Sequence, residues 1–450
     1  MSHIFPRHSK SKVPTAVGGQ GCYLVDSTGK QYFDGSGGAA VSCLGHGDPD
    51  IIAAIQHQAE QLAFAHTGFF TSEPAEELAD LLISRAPGDL KRVYLVSGGS
   101  EATEAALKLA RQYHVERQEP QRKHVIARRQ SYHGNTLGSL AAGGNVFRRT
   151  QFAPLLIDVS HISPCYEYVG RLPQETAYDY GQRVAQELED ELLRLGPDTV
   201  MAFIAEPVVG ATLGAVPAVN GYFKRIREIC DSYGVLLIFD EVMCGMGRTG
   251  HMFACDADQV APDILCVAKG LGAGYQPIGA MLCSDEIYQT IAKGSGFFQH
   301  GHTYIGHPVA SAAALAVVKA LINRNLFDQV QRRGADLETA LRAQFGQHEN
   351  IGDIRGRGLF WGIELVADRA TKSPLDPSLE TAKKIKSAAF DAGLICYPNS
   401  GTRDGKQGDH ILLAPPFIVS EDQIGEITEK LGKALSVALG WPATQSLAKA

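Results

Sequence analysis

The sequence has little of what a disulfide-stabilised, membrane-spanning or nucleic-acid-binding protein requires. Its nine cysteines are irregularly spaced and form no CxxC pair, which argues against a disulfide framework or a zinc site. No apolar run approaches the roughly 18 residues of a membrane-spanning helix, and residues 1–14 lack the apolar core of a signal peptide. The net charge of −7 provides no basic field for nucleic acid or anionic lipid. These absences predict a cytoplasmic protein without membrane or nucleic-acid partners.

The chain is long enough for more than one hydrophobic core. It has 450 residues, of which 44% are apolar, whereas single domains hold roughly 100–200 residues. Its 48 glycines cluster in turns, where the backbone bends sharply or approaches another group closely. We expect residues 1–60 to form an N-terminal segment that joins a small domain, residues 61–325 a large domain, and residues 326–450 the small α+β domain.

Between residues 75 and 320, helical patterns alternate with short apolar runs. The runs are nearly continuous in Val, Ile and Leu, which is typical of strands buried on both faces of a parallel sheet. The predicted strands are Val93–Val96, His124–Arg128, Met201–Glu206, Val235–Asp240, Ile264–Ala268 and Gly279–Cys283. The predicted helices are Ala75–Ser84, Ser100–His114, Gly181–Leu195, Tyr222–Tyr233 and Pro308–Ile322. This alternation predicts an α/β fold with a mostly parallel central sheet.

The two ends of the chain follow different patterns. Tyr23–Asp26 and Gln31–Asp34 predict a hairpin, and residues 50–63 have the apolar spacing of a helix. After residue 325 the pattern predicts a separate α+β segment. Its helices are expected near 325–345, 379–391 and 420–437, and its strands near 359–365 and 411–413.

Two of the apolar strands end in residues suited to chemistry. One delivers Asp240, followed by Glu241, to the carboxyl end of the strand, where open α/β sheets bind ligands. Another delivers Lys269 to a glycine-rich turn, and a desolvated lysine is a good Schiff-base candidate because burial lowers its pKa. Each motif alone has a plain structural interpretation, a capped loop or a surface lysine. Their combination favours a functional site.

Three further motifs each allow a functional and a structural interpretation. Ser97–Ser100 precedes an alanine-rich helix, so it can bind an anion, cap the helix through Ser100, or do both. Tyr132 can stack on a flat ring or pack in the core. His300 and His302 lack a fitting third ligand, so we expect no metal site, and Thr303 suits a phosphate contact better.

Taken together, these motifs resemble a class III pyridoxal-phosphate aminotransferase of fold type I, over nearly the whole chain. The residues that carry the resemblance are Asp34-Gly35-Ser36-Gly37, Gly45-His46, Ser97–Ala102, Tyr132-His133-Gly134, Glu206-Pro207, Asp240–Lys269, Thr303-Tyr304, Gly306-His307-Pro308 and Ala414-Pro415-Pro416. The resemblance implies pyridoxal 5′-phosphate as cofactor, bound by the large domain, and an amine and a keto acid as substrates. It also implies a homodimer with shared active sites, which could pair further into a tetramer.

The resemblance also implies roles for the residues around the cofactor ring. Lys269 would carry the cofactor and shuttle a proton, and Asp240 would pair with the pyridine nitrogen and keep it protonated. Val242 and Tyr132 would pack on opposite faces of the ring. The other ring contacts would be His133 and Glu206, with Glu241 near the ring and the lysine.

The phosphate of the cofactor has its own implied contacts. Gly99 and Ser100 would bind it from the same chain. Thr303 would reach the phosphate of the neighbouring subunit, which is why a dimer is expected.

The sequence departs from relatives where substrates bind. Ornithine and acetylornithine aminotransferases have an arginine where this chain has Leu412, and some pyruvate-dependent ω-transaminases have one in the region of Val419–Glu421. Neither carboxylate clamp is present. Arg403 is a possible substitute, or else a solvated loop arginine. Ala40 replaces a tryptophan of ω-transaminases, which would enlarge the pocket for a bulkier amine donor.

We therefore expect an aminotransferase that takes its amino group from an ω-amino acid, polyamine or other primary amine, with pyruvate or 2-oxoglutarate as acceptor. A decarboxylase, epimerase or aminomutase with the same cofactor is the alternative, because pocket geometry decides which bond at Cα is broken. A nicotinamide-dependent oxidoreductase is the remote alternative from another enzyme class. Gly356, Gly358 and Gly362 lie near a predicted strand, and no strand–turn–helix follows. Intact Asp240 and Lys269 argue against a non-catalytic scaffold.

Overall fold

The N-terminal segment is a small antiparallel meander followed by a helix. The computed structural model describes residues 3–10 and 12–441. Its first elements are β1 (Ala16–Gln20), β2 (Tyr23–Asp26), β3 (Gln31–Asp34), the short turn α1 (Gly37–Ala40) and α2 (Pro49–Gln61). The predicted hairpin is confirmed, since β2 and β3 pair antiparallel. Asp26 holds its turn, because its Oδ1 accepts the Thr28 N–H at 2.8 Å.

The central region alternates helices and strands as predicted. Its elements are α3 (Glu73–Ile83), β4 (Leu90–Val96), α4 (Gly99–Glu116), β5 (His124–Arg128), α5 (Leu137–Ala142), α6 (Val146–Arg149), β6 (Ser160–Ile162), α7 (Glu167–Gly170), α8 (Ala177–Leu195), β7 (Val200–Ala205), β8 (Val208–Val209), β9 (Val216–Pro217), α9 (Tyr222–Tyr233), β10 (Leu236–Asp240), β11 (Ile264–Val267), β12 (Gly279–Ser284), α10 (Asp285–Lys293) and α11 (Pro308–Asn323). Seven strands form one sheet in the order β4-β12-β11-β10-β7-β5-β6. Strand β12 runs antiparallel to both neighbours and the other pairs are parallel. The mostly parallel sheet is therefore confirmed.

The central sheet is buried on both faces, as its continuous apolar strands predict. Leu237 and Phe239 of β10 pack into one cluster with α8 and α9. Ile238, between them, packs into a second cluster with α4 and α10 on the opposite face. Because successive side chains of a strand point to opposite faces, helices must cover both sides. The result is a three-layer α/β arrangement.

The C-terminal region forms a second, antiparallel sheet. Its elements are α12 (Leu326–Phe345), β13 (Ile351–Arg357), β14 (Phe360–Leu365), α13 (Thr381–Asp391), β15 (Leu394–Ile395), β16 (Tyr397–Ser400), β17 (Asp409–Leu413) and α14 (Glu421–Leu439). Strands β13, β14, β17 and β16 pair in that order. Strand β15 instead pairs with β3, so the N-terminal strands share a sheet with this region. The domain limits at residues 60 and 325 stay a prediction.

The glycines that suggested a dinucleotide motif belong to a β-hairpin. Strand β13 ends at Arg357, Gly358 turns the chain with φ +60°, and β14 begins at Phe360. A dinucleotide fingerprint needs a helix directly after the glycine turn. The structure gives an antiparallel strand there, which removes the observation that favoured a nicotinamide-dependent enzyme.

The described part of the chain shows no membrane-spanning helix, metal cluster or disulfide. Within residues 3–10 and 12–441, no single helix is long and apolar enough to cross a membrane. Helices α11 and α12 have sufficient length and hydropathy only when taken together, and they form a pair bent by 68°. In the same residues, no group of three or more His, Cys, Asp or Glu could hold a metal ion. All nine cysteines are buried and unpaired.

Candidate active site

Five strands of the central sheet end at one cavity of about 440 Å³. The glycine turn follows β4, Tyr132 follows β5, and Glu206 follows β7. Asp240 ends β10, and Lys269 follows β11, which pairs with β10. Parallel strands bring their carboxyl ends to the same edge of a sheet, where ligands bind. The structure therefore places these predicted side chains on the wall of one cavity.

Lys269 occupies a tight turn at the cavity wall. It has φ +44°, an uncommon conformation for a residue with a side chain, and begins a short 3₁₀ turn with Gly270 and Leu271. Burial lowers its pKa to about 8, against the opposing charges of Asp240 and Glu206. At a pKa of about 8, roughly a tenth of the amine is neutral at pH 7, far more than for an unshifted lysine. A neutral, desolvated amine is the form that attacks a carbonyl carbon.

Asp240 is a rigidly held carboxylate. It is only 4% exposed. Its Oδ1 accepts the Val242 N–H at 3.0 Å, and its Oδ2 lies 2.7 Å from Nδ1 of His133. His133 is itself buried, and within the described chain its Nε2 has no hydrogen-bond partner. This pairing fixes the orientation of Asp240, so its carboxylate can meet a protonated ring nitrogen in the cavity.

The turn before α4 is shaped to hold an anion. Gly98 is the N-cap residue of this 18-residue helix, and no side chain caps it. The Ser100 N-cap interpretation is therefore wrong, because Ser100 lies inside the helix and its Oγ accepts the Asn135 N–H at 3.0 Å. A Cβ on Gly99 would lie 2.6 Å from Cγ1 of Val242, so only glycine fits. The first N–H groups of α4 are left to the cavity, which favours a phosphate.

Glu206 supports the loop that presents Tyr132. Its carboxylate accepts the N–H groups of Tyr132 at 3.1 Å and Gly210 at 3.0 Å. It is 4% exposed, and burial raises its pKa. Tyr132 is half-buried and lines the cavity, so its ring is available to stack on a flat ligand. The guanidinium of Arg148 lies 4.7 Å from the centre of the same ring.

The structure does not bring Glu241 to the cavity. Its carboxylate accepts the N–H groups of Ala254 at 2.5 Å and Cys255 at 2.8 Å, so it caps the short 3₁₀ helix Ala254–Asp258. Burial raises its pKa to about 7. The expectation that Glu241 lies near the ring and Lys269 is therefore corrected to a structural role. Thr303 is exposed and lies outside this cavity, which leaves it accessible to another subunit.

Two substrate-related expectations also change. Arg403 is neither solvated nor on the cavity wall, since its Nε lies 3.6 Å from buried Glu364 and its Nη2 donates to the Lys372 carbonyl at 3.0 Å. Ala40 is 2% exposed and packs with Phe360 and Leu412 rather than lining the cavity. The enlarged pocket inferred at Ala40 is therefore not supported.

Some lining residues had no recognisable signal in the sequence. They come from α1 and its neighbours, from the segment after Asp240, and from the loop before β12. These residues are Val41, Met243, Gly274, Gln276, Pro277 and Ile278. Only the segment after Asp240 could have been inferred, because it directly follows a predicted functional residue.

The cavity thus defines a class of protein, an enzyme that holds a phosphorylated cationic ring covalently through a lysine. The residues fit such a group. Lys269 would supply the amine, Asp240 the fixed carboxylate, and Gly99 the space for a close backbone approach. Tyr132 and Val242 both line the cavity and provide apolar surfaces for a ring.

Comparison with known proteins identifies the family. The model of the family described as Aminotransferase class-III matches residues 5–435, and the chain belongs to this family. It is 44% identical over 440 residues to an uncharacterised aminotransferase of Schizosaccharomyces pombe, which covers 97% of this chain and 95% of the relative. The family uses pyridoxal 5′-phosphate, so the predicted enzyme class and cofactor are confirmed.

Solved structures give the same result for the fold. An (S)-enantioselective ω-transaminase from Thermomicrobium roseum superposes with a TM-score of 0.91 at 35% identity, covering 97% of this chain and 96% of that one. An aminotransferase from Vibrio fluvialis in its PMP-bound form superposes with a TM-score of 0.90 at 32% identity, covering 97% of both chains. The predicted fold type I is therefore confirmed.

Proposed function

We propose that this aminotransferase moves an amino group from a primary amine or ω-amino acid to pyruvate or 2-oxoglutarate. The observation that carries the proposal is the placement of Lys269 and Asp240 at adjoining strand ends of one cavity. One can hold a carbonyl cofactor and move protons, while the other can keep a ring nitrogen protonated. The ω-transaminase of Thermomicrobium roseum, which has the same fold, supports an amine donor whose amino group is remote from any carboxylate.

Each residue of the cavity has a defined task in this proposal. Pyridoxal phosphate, when bound, supplies a carbonyl carbon that accepts amines and a ring that accepts electrons from the substrate Cα. Lys269 would hold the cofactor through Nζ, and once replaced by the substrate amine its free Nζ would serve as the base that takes the proton from the substrate Cα. Its lowered pKa, about 8, suits this exchange near neutral pH. Asp240, oriented by His133, holds the ring nitrogen in its protonated form.

The remaining side chains position the group and exclude water. The N–H groups of Gly99 and Ser100 would hold the phosphate at the start of α4. Val242 and Tyr132 would enclose the ring from two sides, and Glu206 fixes Tyr132 through its backbone N–H. This enclosure keeps the reacting carbon away from bulk water, which strengthens the charge interactions around it.

We also propose that two chains form a homodimer in which Thr303 contacts the phosphate of the partner. Exposed aromatic side chains surround this region: Phe70 is 67% exposed and Tyr304 61%. Phe70 borders a cleft that it shares with Ile305. Exposed apolar surface of this kind is typical of protein interfaces. A further pairing to a tetramer and a cytoplasmic location remain predictions.

Turnover that depends on a keto acid tests the proposed reaction. Purified enzyme loaded with cofactor is given a series of ω-amino acids and monoamines, with and without pyruvate or 2-oxoglutarate, and the carbonyl and amino-acid products are measured. A transaminase forms one amino acid for each carbonyl product and stops after a single turnover when the keto acid is omitted. Release of carbon dioxide, or inversion at Cα without any keto acid, would instead identify a decarboxylase or an epimerase. The Lys269→Ala variant serves as the inactive control.

A further inference from the structure

No basic side chain on the cavity wall is free to bind a substrate carboxylate. Among its lining residues, which all belong to the described chain, the basic side chains are those of Lys269 and His133. Lys269 is needed for the cofactor, and His133 is paired with Asp240 at 2.7 Å. Both proposed acceptors carry a carboxylate next to the reacting carbonyl. A carboxylate that enters a partly buried site loses its hydration, and without a cation nothing compensates for that loss. The cation must therefore come from a side chain just behind the lining residues.

Two other arginines of the described chain already interact with groups outside the cavity. Arg403 interacts with the buried carboxylate of Glu364 and the Lys372 carbonyl. Arg248 is 1% exposed and donates to the carbonyls of Leu359 at 3.0 Å and Pro415 at 2.6 Å. Releasing Arg248 would cost its hydrogen bonds to two buried carbonyls, and releasing Arg403 would cost its hydrogen bond to the Lys372 carbonyl. Glu364 would keep the donors Arg355 and Tyr166.

Arg148 is uncommitted and lies beside the cavity. Its guanidinium is 4.7 Å from the ring centre of Tyr132, a cavity-lining residue. Within residues 3–10 and 12–441 it forms no ion pair with an acidic side chain. Burial is the main cause of the lowered pKa of Lys269, about 8, and the positive charge of Arg148 contributes in the same direction. An arginine held only by an aromatic ring, within electrostatic reach of the reacting lysine, can turn to an incoming anion.

The short helix that carries Arg148 is anchored to the same loop as Tyr132. The side chain of Asn145 accepts the Arg148 N–H at 3.3 Å and donates to Oε1 of Gln130 at 2.9 Å. Gln130 in turn donates to the Gly401 carbonyl at 3.0 Å. Gln130 stands two residues before Tyr132, so helix α6, the tyrosine loop and the 401–408 loop form one connected support. A guanidinium based on this support is pre-positioned relative to the cavity.

We propose that Arg148 binds the carboxylate of the substrate and so determines the preference of this enzyme for keto acids over simple aldehydes. The guanidinium offers two parallel N–H donors to the two carboxylate oxygens, while the carbonyl carbon faces Lys269. This inference rests on the proposed transamination, since it names the substrate group that the same site recognises. It assigns a specificity-determining residue in place of the two clamps that the chain lacks at Leu412 and Val419–Glu421.

Paired substrates and paired variants test this assignment. Arg148→Met removes the charge at nearly constant length, Arg148→Lys keeps the charge but loses the two-donor geometry, and Arg149→Met makes the same charge change one residue further along α6. The amino form of each enzyme is mixed with pyruvate or with propanal, which lacks the carboxylate. For Arg148→Met, the KM for pyruvate is expected to rise on the order of 100-fold, with little change in kcat and less than about a threefold change for propanal. Arg148→Lys should recover part of the loss.

The control variant and a binding measurement distinguish a failure of the Arg148 assignment from a failure of the proposed transamination. The negative charge of Asp158 acts on Arg149, and Arg149 does not line the cavity, so Arg149→Met should behave as the unchanged enzyme towards pyruvate. Equal losses for pyruvate and propanal, or equal losses in both methionine variants, would overturn the assignment. Calorimetric titration of propionate into the cofactor-loaded enzyme needs no turnover, and weaker binding by Arg148→Met alone is expected. If no keto acid supports turnover, the proposed function falls, and the propionate titration still decides for or against Arg148.

Discussion

At Lys269, burial and neighbouring charges act on the same amine in opposite directions. Removal from water disfavours the charged ammonium, while Asp240 and Glu206 favour it. Burial dominates, and the pKa falls from 10.5 to about 8. An ordinary surface lysine at neutral pH would be almost entirely protonated and a poor nucleophile.

This shift predicts how the apoenzyme captures its cofactor. Only the neutral amine reacts with the aldehyde of pyridoxal phosphate, so the capture rate should rise with pH below the pKa and level off above about pH 8. Stopped-flow absorbance across roughly pH 6.5 to 9.5 measures this profile. A rate that continues to climb through pH 9.5 would indicate an unshifted lysine. A capture rate that does not change with pH would also contradict the prediction.

Sequence reasoning located most single residues of the site, but it misjudged the direction of Glu241. It placed Asp240 and Lys269 together because each ends a buried strand of one parallel sheet. It also placed Glu241 there, although adjacent residues at a strand end point to opposite sides. The structure directs Glu241 to the N–H groups of residues 254 and 255 instead. Arg148 had no motif to reveal it, since its position depends on how α6 folds back over Tyr132.

At the scale of elements, the start of α4 depends on one glycine and not on its neighbour. A Cβ at Gly99 would lie 2.6 Å from Val242, and that side chain is fixed at the end of β10. A Cβ at Gly98 would meet nothing within 4 Å, and the φ of 176° is extended backbone that other residues adopt. The two positions therefore form a matched pair on one turn.

We expect Gly99→Ala to destabilise the cofactor-free protein by about 1–3 kcal/mol, because Val242 and the helix start must shift apart. Gly98→Ala should leave the free energy of unfolding unchanged or slightly higher, since alanine restricts the unfolded chain more than glycine does. Urea unfolding of both apoproteins, followed by circular dichroism, measures the difference. Equal midpoints for the two variants would show that Gly99 does not approach Val242 closely.

Elements with strong local signals were predictable, and those without were not. Helix α9 has the predicted bounds, since Gly221 and Gly234 flank it with φ of +84° and +62°. Strand β13 was missed because its sequence, Ile351–Arg357, contains charged and glycine residues instead of an apolar run. Strand β4 begins at Leu90, three residues earlier than predicted, where Lys91 and Arg92 interrupt the apolar pattern with exposed side chains. Pairing with β12 defines these residues as strand.

At the scale of the whole molecule, long-range pairing determined what the sequence could not. Strand β15 joins the N-terminal sheet through β3, more than 350 residues away in the chain. The local pattern predicted β3, but it did not predict the two-residue strand β15, and it contains no information about partners so distant in sequence. The α/β class, in contrast, followed from the alternation of elements and needed no such information.

The proposed homodimer makes its own prediction at this scale. Sedimentation equilibrium should give twice the chain mass of 48.3 kDa. Phe69→Glu should shift the protein towards the single-chain mass and weaken cofactor binding, because Phe69 is 82% exposed near the region that would contact a partner. Leu193→Glu, which changes a 60% exposed side chain on α8, is the control and should leave the mass unchanged. A wild-type protein of single-chain mass with full activity would contradict the shared site of Thr303.

The central claim, that this chain is a lysine-linked pyridoxal-phosphate aminotransferase, is tested most directly by its absorbance spectrum. We expect a yellow protein whose visible band is bleached by an amine donor and restored by pyruvate or 2-oxoglutarate. The Lys269→Ala variant should not form the lysine-bound band, although it retains the phosphate contacts at α4. A wild-type protein that remains colourless and takes up no added pyridoxal phosphate would contradict the account.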